Sequence, residues 1–186
     1  MRVLLFFFII ISTSSCAYQF GLSERALPGG YKQLAIPVFK NSTQEVGIEM
    51  PFTNALIRRF GRSQVARVID KGEAPVVLEG TIKTIKIGAE APITNAQLVT
   101  LPNNVVLATS YRLTVTTVIV LKRKSDDKVV WSGSFQNEKV YSAPRIGGAV
   151  VNSANATYNH SARLEMLSQL AEEMMTEAHD RITENF

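Results

Sequence analysis

Apolar and polar residues alternate through the middle of this chain and recur at helical spacing on either side of it. Tyr111, Leu113, Val115, Thr117, Ile119 and Leu121 share one parity, the pattern of a strand with one face on a core. The turn-forming run Lys124 to Lys128 then leads into a second alternation with Val129, Trp131, Gly133 and Phe135 expected inward, so the two read as a hairpin. Upstream, Ala74 to Ile87 reads as extended chain in which the parity of Leu78, Gly80 and Ile82 passes to Ile85 and Ile87, which predicts a bulge near Thr84. Arg67 to Asp70 also reads as extended. Gln33 to Phe39 alternates with Leu34, Ile36 and Val38 on one face, and Pro37 marks it as an edge strand. The following Lys40 to Gln44 reads as a loop.

Two segments carry the 3.6-residue period instead. Ile48, Phe52, Leu56 and Phe60 predict a helix that begins near Pro51 and is stopped by Gly61. Ser161 is placed to cap a final helix whose stripe is Leu164, Leu167, Leu170, Ala171, Met174, Ala178 and Ile182, with Met175 at its border. Gly88 to Asn104 and Ser142 to Asn159 are nearly uncharged, rich in Asn and broken by Pro or Gly, and read as long loops. The order strand, helix, three-strand meander, helix gives an α+β fold: a two-layer sandwich with two helices packed on one face of a four-stranded mixed β-sheet. A parallel crossover between the first two strands then puts both long loops at one end of the sheet and the basic hairpin at the other.

The amino terminus is of another kind. Arg2 precedes an unbroken apolar run from Val3 to Ile11, then small polar residues and Cys16, the layout of a secretory signal. The run is far short of the roughly 20 residues that span a membrane. Ser14-Ser15-Cys16 looks like a bacterial lipobox, with Thr13 where Leu is usual. The division expected is a cleaved signal peptide at 1–15, a lipidated Cys16 with a flexible tether at 16–30, and a single domain at 31–186. The alternative, plain secretion, leaves the only cysteine as an odd exposed thiol. In lipoproteins of the enteric type an Asp after the cysteine retains the protein in the inner membrane; here that residue is Ala17, which implies the outer membrane.

Charge narrows the function classes. Lys and Arg number 20 against 16 Asp and Glu, and removal of Arg2 leaves 19 − 16 = +3. That is too mild for a nucleic-acid binder. A chain with one cysteine has no internal disulfide, so its stability must come from packing. For catalysis the inventory is thin: His160 and His179 stand near no serine or carboxylate at triad spacing and read as solvated or capping residues. No metal-ligand spacing and no phosphate loop is present, so no enzymatic activity, metal or cofactor is expected beyond a diacylglycerol and an acyl chain on Cys16. Asn41-Ser42-Thr43 matches a glycosylation pattern but reads as turn chemistry. The basic group Lys122, Arg123, Lys124 and Lys128, with Arg112, Lys83 and Lys86 nearby, has two readings: charges that keep a sheet edge from pairing with its copies, or donors to phosphate groups.

The segments CAYQF at Cys16, LPGGYKQLAIPVFKNST from Leu27, FTNALIRRF from Phe52, VLEGTI from Val77 and KVVW at Lys128 together resemble the LptE family of lipopolysaccharide-assembly lipoproteins. The resemblance spans nearly the whole mature chain. It implies a non-enzymatic lipoprotein, lipid-anchored at the inner leaflet of the outer membrane, that plugs the LptD β-barrel, assists its assembly and binds lipopolysaccharide on its way to the cell surface. The family's lipopolysaccharide-binding positions are basic residues in or beside the loops. The first long loop has none, and only Arg145 in the second offers a match; with the hairpin cations, the candidates are Lys122, Arg123, Lys124, Lys128 and Arg145. The runner-up function is a periplasmic lipoprotein adaptor that activates a cell-wall synthase or builds a secretion pore.

Overall fold

The computed structural model describes residues 25–94, 106–142 and 156–184. In chain order the elements are β1 (Gln33–Leu34), β2 (Lys40–Asn41), α1 (Glu49–Ser63), β3 (Arg67–Val68), β4 (Val76–Thr94), β5 (Val106–Arg123), β6 (Val129–Ser142) and α2 (Ala156–Thr183). A four-stranded mixed sheet runs β2-β4-β5-β6, with β2 parallel to β4 and the rest antiparallel. A separate pair, β1 with β3, is also parallel. Both helices cover one face of the sheet and pack on each other. This is the α+β sandwich that the order of patterns predicts.

The first extended segment changes partners partway. Its Leu34 carbonyl accepts from Ile69 N–H at 2.9 Å, just past β3, whereas Ala35 N–H already donates to Val76 O at 3.0 Å, at the start of β4. Ala35 thus bridges to β4, and β2 resumes that pairing at Lys40. Pro37 lies between, where a missing N–H costs no ladder bond. The change of partner also overturns two expectations. Val38 is 56% exposed while Phe39 is buried, so parity breaks at Pro37, and Lys40–Asn41 is strand rather than loop. Thr53 makes this turn of the chain possible: its hydroxyl accepts the Phe39 N–H at 3.0 Å and donates to Glu49 O at 2.7 Å, so the one hydroxyl serves a buried backbone donor and α1 together. The Asn41 side chain accepts from Thr43 N–H at 2.9 Å and donates to Glu45 O at 2.6 Å, the turn chemistry expected of that motif.

α1 presents Phe52, Ala55, Leu56 and Phe60 to the core, with Glu49 in its first turn and Arg62 in its last. Gly61 does not stop it. The helix ends at Gln64, which takes a left-handed conformation (φ 55°) and donates its N–H to Phe60 O at 3.1 Å. α2 starts at Ala156, so Ser161 lies inside it and caps nothing, and Ala156 to Asn159 are not loop. Leu167, Leu170, Ala171, Met174, Ala178 and Ile182 are buried as the stripe predicts, and Met175 joins them fully, but Leu164 is 41% exposed.

The meander is longer than its sequence suggests. The bulge falls between Ile82 and Thr84 as expected, after which β4 continues to Thr94, paired through Thr94↔Val106. Gly88 to Thr94 is therefore strand, not loop. Glycine, alanine and proline there carry little strand propensity, and it is the register with β5 that extends them. Pro92 fits because, among the described residues, β4 has no partner on its other side past Ile82. A second irregularity, where Leu121 faces Trp131 but Lys122 faces Val129, turns Val129 outward, 49% exposed rather than inward. Leu113, Val115, Thr117, Ile119 and Leu121 all face the helices as predicted. The other face of the sheet carries Glu79, Thr81, Thr114, Thr116, Val118, Val120, Ser132, Ser134 and Gln136, and among the described residues no helix covers it.

Candidate functional site

The antiparallel meander gives the molecule two ends. At one lie the Lys124 to Lys128 turn, the C-terminus of α2 and Arg25; at the other the chain leaves β4 and β6 and enters β5 and α2. The residue nearest Cys16 that is described, Arg25, is held at the hairpin end by Asp180 at 3.1 Å. Leu27, inside the segment expected to be tether, is buried against the core, and Gly30 N–H closes a turn on its carbonyl at 2.8 Å. Cys16 and Arg145 lie outside the described residues.

The hairpin brings Lys122, Arg123, Lys124 and Lys128 to one end, but most of their charge is engaged. Lys122 Nζ lies 2.7 Å from Glu79 Oε2 across the open face of the sheet. The pairing holds Glu79 below the usual carboxylate range, chiefly through its hydrogen bond from Lys122, and raises Lys122 in turn. Arg123 Nε pairs with Asp126 at 3.1 Å within the turn, and Lys124 Nζ donates to Gly72 O. Lys128 makes no side-chain ion pair among the described residues. Farther along the face, Arg112 joins Glu90 and Glu138, which raises its own pKa, first through the hydrogen bond to Glu90. Lys83 and Lys86 are exposed on β4. Lys122 and Arg123 thus lie on the interior strand β5 with their charge paired, and Lys128 is the hairpin cation most open to a ligand.

His179 departs from expectation most sharply: it is fully buried, not solvated. Its Nδ1 lies 3.0 Å from Asp180 Oδ1 and its Nε2 lies 2.7 Å from Ser63 Oγ, on the last turn of α1. Because an ionised Asp180 can only accept, Nδ1 carries the proton, and the Nε2 lone pair accepts from the Ser63 hydroxyl. The ring also meets Phe60 edge-on, with centroids 4.8 Å apart. Burial lowers the His179 pKa, outweighing the bond to Asp180 that would raise it, so the ring is neutral. Asp180 receives Arg25 and Arg59 as well, at 3.1 and 3.2 Å. Its burial would raise its pKa, but the bonds from His179 and Arg59 win and the net shift is downward.

The order serine, histidine, aspartate is that of a hydrolytic triad, yet the surroundings are wrong for one. Ser63 stands at the C-terminal end of α1, where carbonyls and the negative end of the helix dipole point at it. An oxyanion formed there would be destabilised, whereas a triad needs N–H donors at that position. The network instead clamps the C-termini of the two helices together. The signal was present in the sequence: His179 stands four residues after Met175 and three before Ile182, on the buried stripe. His160, by contrast, is exposed beside Arg163 at 3.0 Å, in keeping with its expected place.

Comparison with known proteins places this geometry. A crystal structure of a Xanthomonas campestris protein superposes with a TM-score of 0.52 at 12% identity, covering 85% of this chain and 87% of that one, which shows a shared fold. A minor lipoprotein of Acinetobacter baumannii gives 0.49 at 10% identity, covering 82% and 91%. The rare lipoprotein B of Shewanella oneidensis gives 0.40 at 14% identity, covering 81% and 89%. No curated protein sequence matches. The family model for LptE, lipopolysaccharide-assembly, matches residues 31–184, from just before β1 through the end of α2, and the chain belongs to that family.

Proposed function

We propose that this protein is an outer-membrane lipoprotein, anchored through acyl groups on Cys16, that plugs and assists assembly of an LptD-type β-barrel and helps deliver lipopolysaccharide to the cell surface. The family match over residues 31–184 carries the reading. The LptE family is one of accessory, non-enzymatic lipoproteins, and the Ser63-His179-Asp180 network, set at a helix C-terminus, serves packing rather than turnover. The uncovered face of the sheet supports a plug: its Thr, Ser and Gln side chains exchange hydrogen bonds with water, as the polar lumen of a large barrel requires. No helix among the described residues is long and apolar enough to cross a membrane, which agrees with an anchor made of lipid. Lys122, Arg123, Lys124, Lys128 and Arg145 are the candidate contacts to lipopolysaccharide phosphates, Lys128 and Arg145 foremost.

Detergent extraction of the native protein tests the proposal. A large β-barrel, recognised by a change of gel mobility on heating, is expected to co-purify in stoichiometric amount. Recovery of monomeric lipoprotein alone, from membranes in which the barrel is present, overturns it.

A further inference from the structure

A second group of cations lies at the hairpin end, apart from the hairpin itself. An open cleft of about 570 Å³ beside the C-terminus of α1 is lined by Arg25, Lys32, Arg59, Arg62, Ser63 and Gln64. Four of these are cations and none is a carboxylate. Asp180, behind them, pairs with Arg25 and Arg59. Lys32 and Arg62 are exposed and have no carboxylate within ion-pair distance among the described residues.

The charge balance favours an anion even when the paired carboxylate and the two helix ends are counted against it. Four cations less Asp180 leave +3. The C-termini of α1 and α2 both point here, and each contributes roughly half a negative charge, which still leaves about +2. Two helix ends and one carboxylate therefore account for only half of the cations. Guanidinium groups can each hold two oxygens of a phosphate, and the Gln64 amide adds a neutral donor. The site's place in the chain says where such phosphates are. Arg25 follows Cys16 by 25 − 16 = 9 residues, a reach of at most about 30 Å when fully extended.

We propose that this cleft is a docking site for lipid phosphate groups, and that it seats the hairpin end of the domain on the anionic leaflet in which Cys16 is anchored. The proposal rests on the lipoprotein reading for the position of the membrane, but not for the chemistry of the cleft.

The test uses protein carrying Cys16→Ser, so that no acyl chain contributes, co-sedimented with vesicles of phosphatidylcholine with and without phosphatidylglycerol at physiological salt. Binding is expected only with phosphatidylglycerol present. Each cation near an anionic surface contributes about fivefold, so Lys32→Glu with Arg62→Glu should weaken binding by about 25-fold or more. Both side chains are exposed, and circular dichroism confirms that the variant is folded. Lys83→Glu with Lys86→Glu makes the same charge change elsewhere and should leave most of the binding. No binding to phosphatidylglycerol vesicles, or equal loss in the two double variants, overturns the proposal. So does a cleft-dependent affinity for inorganic phosphate or lipopolysaccharide micelles without vesicle binding. Because the probe lacks Cys16, such a failure leaves the lipoprotein reading standing; that reading fails separately, if the mature amino terminus carries no acyl mass.

Discussion

At the scale of single residues, the consequential group is His179, a buried neutral imidazole that joins two helices through Ser63 and Asp180. Its pKa in the folded protein is below the ordinary 6.5, while in the unfolded chain it returns to about that value. Over the interval between the two, the unfolded state binds more protons, so stability rises with pH and falls as the solution is acidified below about 6.5. Asp180 and Glu79, both lowered, lose their contributions only at more acid pH, below 3.8 and 4.5 respectively. Urea unfolding at pH 7.5 and pH 5 should therefore show a loss of stability in the native sequence that is markedly smaller in His179→Gln. An equal loss in both proteins would refute a role for His179 in it. The sequence carried the buried stripe on which His179 lies, but residue type argued against burial and prevailed. What rescues the residue is a serine on another helix, 116 positions away, and no local pattern contains that.

At the scale of elements, two glycines that look alike in the sequence behave oppositely. Gly61, a helix stop by its sequence position, lies within α1, and a Cβ placed there meets nothing within 4 Å. Gly61→Ala removes only the entropic cost of a helical glycine and should stabilise by about 1 kcal/mol. Gly80 lies on β4 under the buried ring of Phe39, which a Cβ would overlap. Gly80→Ala should destabilise by about 1–3 kcal/mol through overpacking. Chemical denaturation of the two variants checks the pair, and a shift of the same sign in both would show that the packing described is wrong. The same contrast explains which elements were legible. The alternation in β5 and the stripes of the two helices survive because each element buries one face against a continuous core. From Lys83 to Glu90 no residue of β4 is fully buried, Ile85 being half-buried and Ile87 40% exposed, so the inward pattern fades before Gly88, and Gly88 to Thr94 is strand through its register with β5. The break at Ala35, where one extended segment serves two sheets, was hidden for the same reason: the partner, not the residue, decides it.

At the scale of the whole molecule, polarity along the long axis organises the parts. Thr94 opposite Val106 and Ser110 opposite Ser142 place the β4–β5 connection and the exit from β6 at one end, and Arg25 bound to Asp180 fixes the amino-terminal segment at the other. β5, with 18 residues at about 3.4 Å each, spans on the order of 60 Å, longer than the hydrocarbon thickness of a bilayer at about 30 Å. With the anchor proposed at Cys16, the protein can thus keep the hairpin end at the leaflet surface and still carry the opposite end across the height of a barrel. Cations gather at the hairpin end, at Lys32, Arg62 and the hairpin itself, while the segments 95–105 and 143–155 hold one charge, Arg145. This asymmetry suits phosphates at one end and a polar lumen at the other. Photo-crosslinkers at Asn103 and Asn152 should therefore capture the barrel wall in cells, whereas one at Ser125, in the hairpin turn, should not. Capture confined to Ser125 would reverse the orientation and place the cationic end inside the barrel, where the cleft beside Arg62 would face lipopolysaccharide instead of the leaflet.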